Sequence, residues 1–293
     1  MNHDHFIVPP GKHIRLKDYD PGFTGHFESE DDASAKLRAD VAKLSDYQDL
    51  LYAQNTYALL LIFQGMDTAG KDGVVRHVMS GVNPQGTQVH SFKAPSAEEL
   101  DHDFLWRTTK ALPERGRIGI FNRSYYEEVL VVRVHPEILE AQRLPPEVDR
   151  KRIWKHRFDD INNFEKYLAR NGIVVLKFFL HLSKEEQRRR LLARIDTPEK
   201  NWKFSVGDVK ERGYWDDYMS AYEDALNQTS TEWAPWYVVP ADHKWFTRTA
   251  VADVILSKLK SLRLSHPQIS DSDRKQLKQA KKLLEAEPGG RSR

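Results

Sequence analysis

A short apolar run followed at once by a glycine-rich loop constrains the fold of this chain more than any other feature. Residues 57–63 are all apolar, and residues 65–73 read Gly-Met-Asp-Thr-Ala-Gly-Lys-Asp-Gly, which matches the pattern G-x-x-x-x-G-K. Such a run predicts a buried parallel strand, and residues 71–80 predict the helix that this pattern requires after its loop. The simpler alternative is an ordinary strand-to-helix turn.

The chemistry of this loop suits a bound phosphate group. Glycines allow backbone N–H groups to curl around an anion, while the N-terminus of the following helix and the charge of Lys71 attract it. We therefore predict a phosphate site, whose residues are Gly65, Ala69, Gly70, Lys71, Asp72, Gly73 and Arg76.

The residue after the lysine departs from the usual pattern, which has Ser or Thr at that position. Here it is Asp72, and a second carboxylate, Asp67, lies inside the loop. A carboxylate repels phosphate unless a cation intervenes, and Mg²⁺ prefers such oxygen ligands together with phosphate oxygens. We predict that Asp67 organises a bound Mg²⁺, for which Mn²⁺ can substitute. For Asp72 two interpretations stay open, metal binding or capping of the helix.

A second candidate segment follows the apolar residues 118–121, which predict another strand. Asn122 and Arg123 come directly after it, and Glu127 lies a few residues further on. The ends of parallel strands converge on the ligand crevice, so we predict that Arg123 binds phosphate and that Asn122 and Glu127 lie beside it. Glu127 is a second predicted metal ligand, and Arg133 a further phosphate-binding candidate. The alternative is a surface turn with solvated charges.

A third segment is strongly basic. Residues 183–203 carry seven Lys and Arg against four Asp and Glu, and Arg190 and Arg194 are spaced to share one helix face. We predict that residues 183–212 form a lid, in which these two arginines cover the transferring phosphates. The predicted nucleotide and lid contacts are Arg188, Arg189, Lys200, Trp202 and Lys203. The alternative is a solvated helix face.

Along the chain, predicted strands alternate with predicted helices. This order indicates an α/β fold with a parallel sheet flanked by helices on both faces. The predicted strands are residues 57–63, 87–92, 118–121, 173–180 and 236–239. The predicted helices are residues 32–55, 71–80, 96–110, a helix from about 124, then 147–170, 183–194, 215–228 and 245–263, with capping boxes at Ser96 and Ser183.

We divide the chain into an extended N-terminal arm, a single domain and a charged tail. The arm is residues 1–31, the domain with its lid is residues 32–264, and the tail from residue 265 is either a loosely held helix or disordered.

Composition excludes several classes of protein. The 293 residues include no cysteine, which removes disulfides, thiolate metal sites and cysteine nucleophiles. With 45 basic and 43 acidic residues, the net charge of +2 gives no general attraction to nucleic acid or membrane. The first 30 residues contain no apolar stretch, so we expect no secretory signal and a cytoplasmic protein.

Taken together, these segments resemble the family-2 polyphosphate kinases. The matching stretches are residues 65–73, 122–127, 185–205, 215–218, 235–236 and 241–244, and the likeness spans about residues 30–263. The resemblance implies a P-loop kinase fold of the thymidylate-kinase type, dependence on Mg²⁺, and inorganic polyphosphate as phosphoryl donor or acceptor. It also implies that polyphosphate lies in a basic channel near the glycine-rich loop, with the nucleotide under the lid.

Two positions set this chain apart from most of that family. Most members are similar in having Asp where this chain has Asn122, and Asn where it has Glu127. The combination found here looks like the subgroup that phosphorylates both nucleoside mono- and diphosphates. We therefore expect AMP to become ADP and ADP to become ATP, reversibly, in a homo-oligomer that is a dimer or a tetramer. Two alternatives stay open, an ATP-dependent nucleoside monophosphate kinase and a P-loop nucleotide-binding module without turnover.

Overall fold

A five-stranded parallel sheet forms the centre of the structure, a computed structural model that describes residues 1–287, apart from the side chain of Lys203. Its strands are β1 (Ala58–Gln64), β2 (Thr87–Ser91), β3 (Ile118–Asn122), β4 (Ile173–His181) and β5 (Trp236–Pro240). They lie in the order β2-β3-β1-β4-β5, and every pair of neighbours is parallel.

The order of the strands decides where a ligand can lie. All seven residues of β1 are buried, as expected for an apolar strand at the middle of a parallel sheet. The chain leaves β1 toward β3 and β2 on one side and later returns to β4 and β5 on the other. This reversal opens a crevice at the carboxyl end of β1, where ligands of open α/β sheets bind.

Twelve α-helices lie within residues 1–287 and are numbered here in chain order. They are α1 (Glu30–Gln54), α2 (Lys71–Val78), α3 (Ala97–Leu100), α4 (Trp106–Thr109), α5 (Val131–Val134), α6 (Pro136–Ala141), α7 (Ile153–Arg170), α8 (Lys184–Ile195), α9 (Val206–Glu211), α10 (Trp215–Thr229), α11 (Lys244–Ser261) and α12 (Asp271–Glu285). Short 3-10 helices occur at Leu16–Asp18, Pro84–Gly86, Tyr125–Val129, Pro198–Lys203 and Arg212–Tyr214.

Helices cover both faces of the sheet, which confirms the predicted fold class. On one face α1, α2 and α11 bury side chains such as Leu44, Val78 and Phe246 against the strands. On the other face α7 and α10 bury side chains such as Ile161 and Leu226. The two apolar layers make the sheet a rigid platform for the loops at its carboxyl edge.

The predicted strands agree with the structure within one or two residues, but three predicted helices do not. Residues 96–110 form two short helices, because Asp103 accepts a hydrogen bond from Leu105 N at 3.0 Å and so makes a turn between them. After Ser124 the chain forms a 3-10 helix before α5 begins at Val131. The helix predicted from residue 147 begins only at Ile153.

The two predicted capping boxes differ. At Ser96 both reciprocal bonds with Glu99 are present. At Ser183 the serine accepts from Glu186 N at 3.1 Å, but the Glu186 carboxylate pairs with arginines of its own helix. The second box is therefore only half formed.

The N-terminal segment before α1 packs onto the domain. Phe6, Val8 and Leu16 are buried. Val8 N donates to Trp236 O at 2.9 Å, and Val238 N donates to Phe6 O at 2.7 Å, so this segment pairs with β5 in antiparallel fashion. The arm therefore covers an otherwise open sheet edge.

The chain after α11 is less closely packed. Helix α12 buries none of its residues. The last part of the predicted tail, residues 288–293, lies outside the described residues. No helix within residues 1–287 is long and apolar enough to span a membrane.

Candidate active site

The glycine-rich loop between β1 and α2, residues 65–73, is called the P-loop below. Gly65 has φ +150°, and a Cβ at this position would lie 2.9 Å from Leu180 O. Gly70 has φ +104° and is the N-cap of α2. Both positions therefore require glycine, and the loop turns tightly above the carboxyl ends of β1 and β4.

Lys71 is folded back onto the loop that carries it. Its Nζ donates to Gly65 O at 2.5 Å and lies 3.4 Å from Met66 O. The pKa of Lys71 is lowered to about 8, chiefly by burial and also by the nearby Arg123 guanidinium. A phosphate in the loop would favour the charged form of this lysine.

Arg123 stands between two carboxylates at the end of β3. Its Nη2 is 2.9 Å from Asp67 Oδ1, and its Nη1 is 3.1 Å from Glu127 Oε2. The Glu127 carboxylate raises the pKa of Arg123 above its usual range, and Asp67 adds to this effect. Arg123 has φ +64°, and its N–H donates to Phe63 O at 3.0 Å, so backbone pairing with β1 holds it at the crevice.

Asp72 is bonded across the crevice to Asn122. Asn122 Nδ2 donates to Asp72 Oδ1 at 2.5 Å. The N-cap of α2 is Gly70, without a side-chain capping bond, so Asp72 does not cap the helix. The capping interpretation is therefore wrong. The charge of Asp72 still lies in the first turn of α2, where it interacts favourably with the helix dipole.

The predicted metal ligands do not form a closed cage. Within residues 1–287 no group of three or more His, Asp or Glu side chains is close enough to hold a metal ion. Asp67 is one-third exposed and lines the crevice, whereas Glu127 is 14% exposed and lies beside Arg123. The oxygen donors of Asp67, Asp72 and Asn122 fit Mg²⁺ in kind, because this ion commonly takes only one or two protein carboxylates and completes its shell with phosphates and water.

A large cationic cavity opens above the P-loop. Its volume is about 940 Å³, and its walls carry nine basic side chains and two acidic ones. The basic residues are Lys71, Lys93, Arg123, Arg189, Arg190, Arg194, Lys200, Lys244 and Arg248, and the acidic ones are Asp67 and Asp72. Such a concentration of positive charge in a concave site attracts a polyanion.

The sequence did not lead us to predict three of these basic residues as site residues. Lys244 and Arg248 lie one turn apart at the start of α11, and Lys93 follows β2. Burial lowers the pKa of both Lys244 and Arg248, and Arg190 lowers both further. The rule that strand ends converge on the ligand crevice points to the ends of β2 and β5, but it does not tell which side chains there face the cavity.

The predicted lid arginines have different environments. Arg190 is 6% exposed, with its guanidinium bonded to backbone carbonyls of the P-loop. Arg194 lines the cavity and lies 3.4 Å from Asp208 Oδ2 in α9. Arg189 lines the cavity and pairs with Glu186.

The other predicted lid contacts divide into two groups. Lys200 and the exposed Trp202 line the cavity. Arg188 pairs with Glu185 on the exposed side of α8, away from the cavity wall. The side chain of Lys203 lies outside the described residues.

Two predicted phosphate-binding arginines do not reach the cavity wall. Arg133 pairs with Asp224 of α10 at 2.5 Å. Arg76 is exposed on the last turn of α2, five residues after Lys71. Neither guanidinium therefore lines this cavity, and phosphate binding by Arg76 and Arg133 stays a prediction.

Fold and site together define the class of protein. A parallel sheet carries a P-loop at its central strand, a basic helix closes over the loop, and the crevice between them is cationic. This arrangement is that of a P-loop kinase.

Comparison with known proteins identifies the family. The sequence profile of polyphosphate kinase 2 (PPK2) matches residues 27–267. The chain is 56% identical over 280 residues to the ADP-polyphosphate phosphotransferase of Rhodopseudomonas palustris, covering 95% of this chain and 97% of the relative. It is 44% identical to the AMP/ADP-polyphosphate phosphotransferase of Meiothermus ruber, over 90% of this chain and 95% of that one.

A solved structure agrees with these sequence matches. The crystal structure of polyphosphate kinase 2 from Arthrobacter aurescens TC1 superposes with a TM-score of 0.86 at 42% identity, covering 97% of this chain and 96% of the other. The chain therefore belongs to the polyphosphate kinase 2 family, and it is an enzyme of that family.

Proposed function

We propose that this enzyme transfers phosphoryl groups between inorganic polyphosphate and nucleotides, converting AMP to ADP and ADP to ATP. The observation that carries the proposal is the cavity above the P-loop, where nine basic side chains face two acidic ones. A single nucleotide phosphate does not need so much positive charge, whereas two polyanions held end to end do. The relatives named for ADP and for AMP/ADP support these acceptors.

The reaction needs no general base. The attacking group is a phosphate oxygen, which is largely ionised near neutral pH because the second pKa of phosphate is about 6. The obstacle is repulsion between donor and acceptor. Lys71 and Arg123 both line the cavity, and with Arg194 they would neutralise the phosphates and hold them in line. Because one phosphoanhydride replaces another, transfer runs in both directions.

A divalent cation belongs to this site, and we propose Mg²⁺, with Mn²⁺ as a substitute. Asp67 would hold it at the P-loop, and Asn122 or Asp72 could contribute a second oxygen. When bound, such an ion would supply positive charge that offsets the charge of the phosphates. Glu127 acts through its ion pair with Arg123, or contacts the metal through a water molecule.

The deciding experiment mixes the protein, Mg²⁺ and long-chain polyphosphate with AMP or ADP, and follows ADP and ATP by chromatography. We expect both products. Phosphorylation of AMP by ATP but not by polyphosphate would favour the monophosphate kinase alternative. Nucleotide binding without turnover by either donor would favour the binding module.

Two further assignments accompany this function. We place the enzyme in the cytoplasm, where nucleotides of all phosphorylation states are present. We also propose a dimer or tetramer, which light scattering after size-exclusion chromatography would test.

A further inference from the structure

Two side chains of helix α8 donate hydrogen bonds to consecutive backbone carbonyl groups of the P-loop. Gln187 Nε2 donates to Asp67 O at 3.0 Å. Arg190 Nη1 donates to Thr68 O at 2.9 Å and lies 3.3 Å from Ala69 O. Three successive carbonyls of the loop are therefore turned toward one helix that is more than a hundred residues away in the chain.

Turning these carbonyls determines where the loop's N–H groups point. In a trans peptide the C=O and N–H point in opposite directions. With the carbonyls of residues 67 and 69 held toward α8, the N–H groups of Thr68 and Gly70 face the other way, and both residues line the cavity. The N–H of Ala69 closes the turn onto Met66 O at 3.1 Å. The contacts with α8 thus orient the amide groups that receive an anion.

The loop needs this external support. Thr68 has φ +67°, a left-handed conformation that is unfavourable for a residue with a branched Cβ. The Thr68 hydroxyl is buried without a hydrogen-bond partner, so its own side chain does not stabilise the turn. The bond from Arg190 to the Thr68 carbonyl does.

Arg190 also ties the P-loop to the loop after β5. Its Nη2 donates to Ala241 O at 2.6 Å and to Asp242 O at 3.0 Å. Its Nε donates to Glu186 at 2.7 Å, so all three guanidinium nitrogens bond to the protein itself. Lys244, at the start of α11, lies just beyond that second loop. One buried guanidinium therefore holds together the loops that follow β1 and β5.

We propose that Gln187 and Arg190 are positioning residues, which hold the P-loop in its anion-binding conformation through backbone carbonyls. This differs from the sequence-based prediction, in which Arg190 meets the transferring phosphates directly. The inference rests on the proposed function only for the identity of the anion. The proposal requires the shape of the arginine guanidinium group at position 190, whereas a direct contact with phosphate would require only a positive charge.

The test compares Arg190→Lys, Arg190→Gln and Gln187→Met with the unaltered protein. Binding of tripolyphosphate is measured by calorimetry across a range of KCl concentrations, and amide hydrogen exchange is followed for residues 66–71. Arg170→Gln is the matched control, because this exposed arginine ends α7 at the opposite, amino-terminal edge of the sheet.

If Arg190 is a positioning residue, a lysine at position 190 should not restore the binding of tripolyphosphate. Both Arg190 variants should bind tripolyphosphate at least tenfold more weakly, with an unchanged salt slope and faster exchange of the loop amides. Gln187→Met, which removes no charge, should weaken binding in the same direction, and Arg170→Gln should not. If Arg190→Gln fails to fold, the other two variants still carry the test.

Two results would overturn the proposal. One is near-normal binding by Arg190→Lys together with a salt slope reduced by about one in Arg190→Gln, which indicates a direct charge contact. The other is unchanged binding and exchange in Gln187→Met and Arg190→Lys. The assay measures binding of an anion to the P-loop, and it gives this information whichever phosphoryl donor the enzyme uses. A failure of the proposed function can therefore be distinguished from a failure of this inference.

Discussion

Asn122 donates a hydrogen bond from Nδ2 to Asp72 Oδ1, and this 2.5 Å contact joins the end of β3 to the first turn of α2. The amide thus contacts the carboxylate that replaces the usual hydroxyl of the P-loop motif. A carboxylate at position 122 would repel Asp72 unless a cation lay between them. The identity of residue 122 therefore controls how many negative charges lie beside the first turn of α2.

Asn122→Asp should make the enzyme more dependent on metal. The new carboxylate lies against Asp72, so the pair is stable only when Mg²⁺ is bound or one group is protonated. We expect Mg²⁺ to raise the Tm of this variant by more than it raises the Tm of the unaltered protein. We also expect the ratio of kcat/KM for AMP to kcat/KM for ADP to change. An unchanged response to Mg²⁺ would show that residue 122 does not face the metal.

Glu127→Asn should lower kcat/KM more with AMP than with ADP. Removing this carboxylate releases Arg123 from one of its two ion pairs and removes a possible contact with metal-bound water. AMP leaves more room in the site for that water shell than ADP, whose added phosphate fills part of it. The measurement is the AMP-to-ADP ratio of kcat/KM under saturating polyphosphate. An equal loss with both acceptors would contradict the prediction.

Lys71→Ala and Asp67→Ala should each lower kcat by about 10²–10³, because the first removes a positive charge at the transferring phosphate and the second removes the carboxylate proposed to hold the metal. Both positions lie at the cavity, so the folded state should survive. Circular dichroism and urea unfolding check that it does. Near-normal turnover in either folded variant would exclude it from the active site.

The affinity for tripolyphosphate should fall as the pH rises through about 8, the pKa to which burial lowers Lys71. Below that pH the lysine is charged and attracts the anion, and above it the lysine is increasingly neutral. Lys71→Arg, which stays charged, should not show this decline. Binding measured from pH 6.5 to pH 10 in both proteins separates the lysine from titration of the ligand, since the ligand affects both equally.

Lys177→Met should destabilise the fold without altering the cavity. Lys177 and Glu165 form an ion pair at 2.5 Å with both side chains fully buried, and Tyr125 and Tyr126 donate to the same carboxylate. Removing one partner leaves a buried charge, which costs about 3–5 kcal/mol. Urea unfolding measures the loss.

A second variant and a control complete that test. Lys177→Met combined with Glu165→Gln should recover part of the stability, because the remaining group is neutral. Lys155→Met removes an exposed pair with Asp159 and should cost less than about 1 kcal/mol. Equal losses for Lys177→Met and Lys155→Met would show that burial of the first pair has no effect.

The sequence by itself determined the P-loop, its flanking strand and helix, and the alternation of strands and helices. These features depend on residues close together in the chain, since glycine spacing, apolar runs and the lysine at the start of α2 act within one turn or one strand. The same local logic placed Asn122 and Arg123 at the end of β3.

Only the tertiary structure decided which cations face the cavity. Arg190 and Arg194 lie one helical turn apart and are equivalent by spacing, yet Arg190 bonds to carbonyls as far as 122 residues away while Arg194 faces Asp208. Lys244 and Arg248 join the site because β5 ends at the same edge of the sheet as β1. Such partners are chosen by how distant segments pack, and local sequence patterns carry no record of that packing.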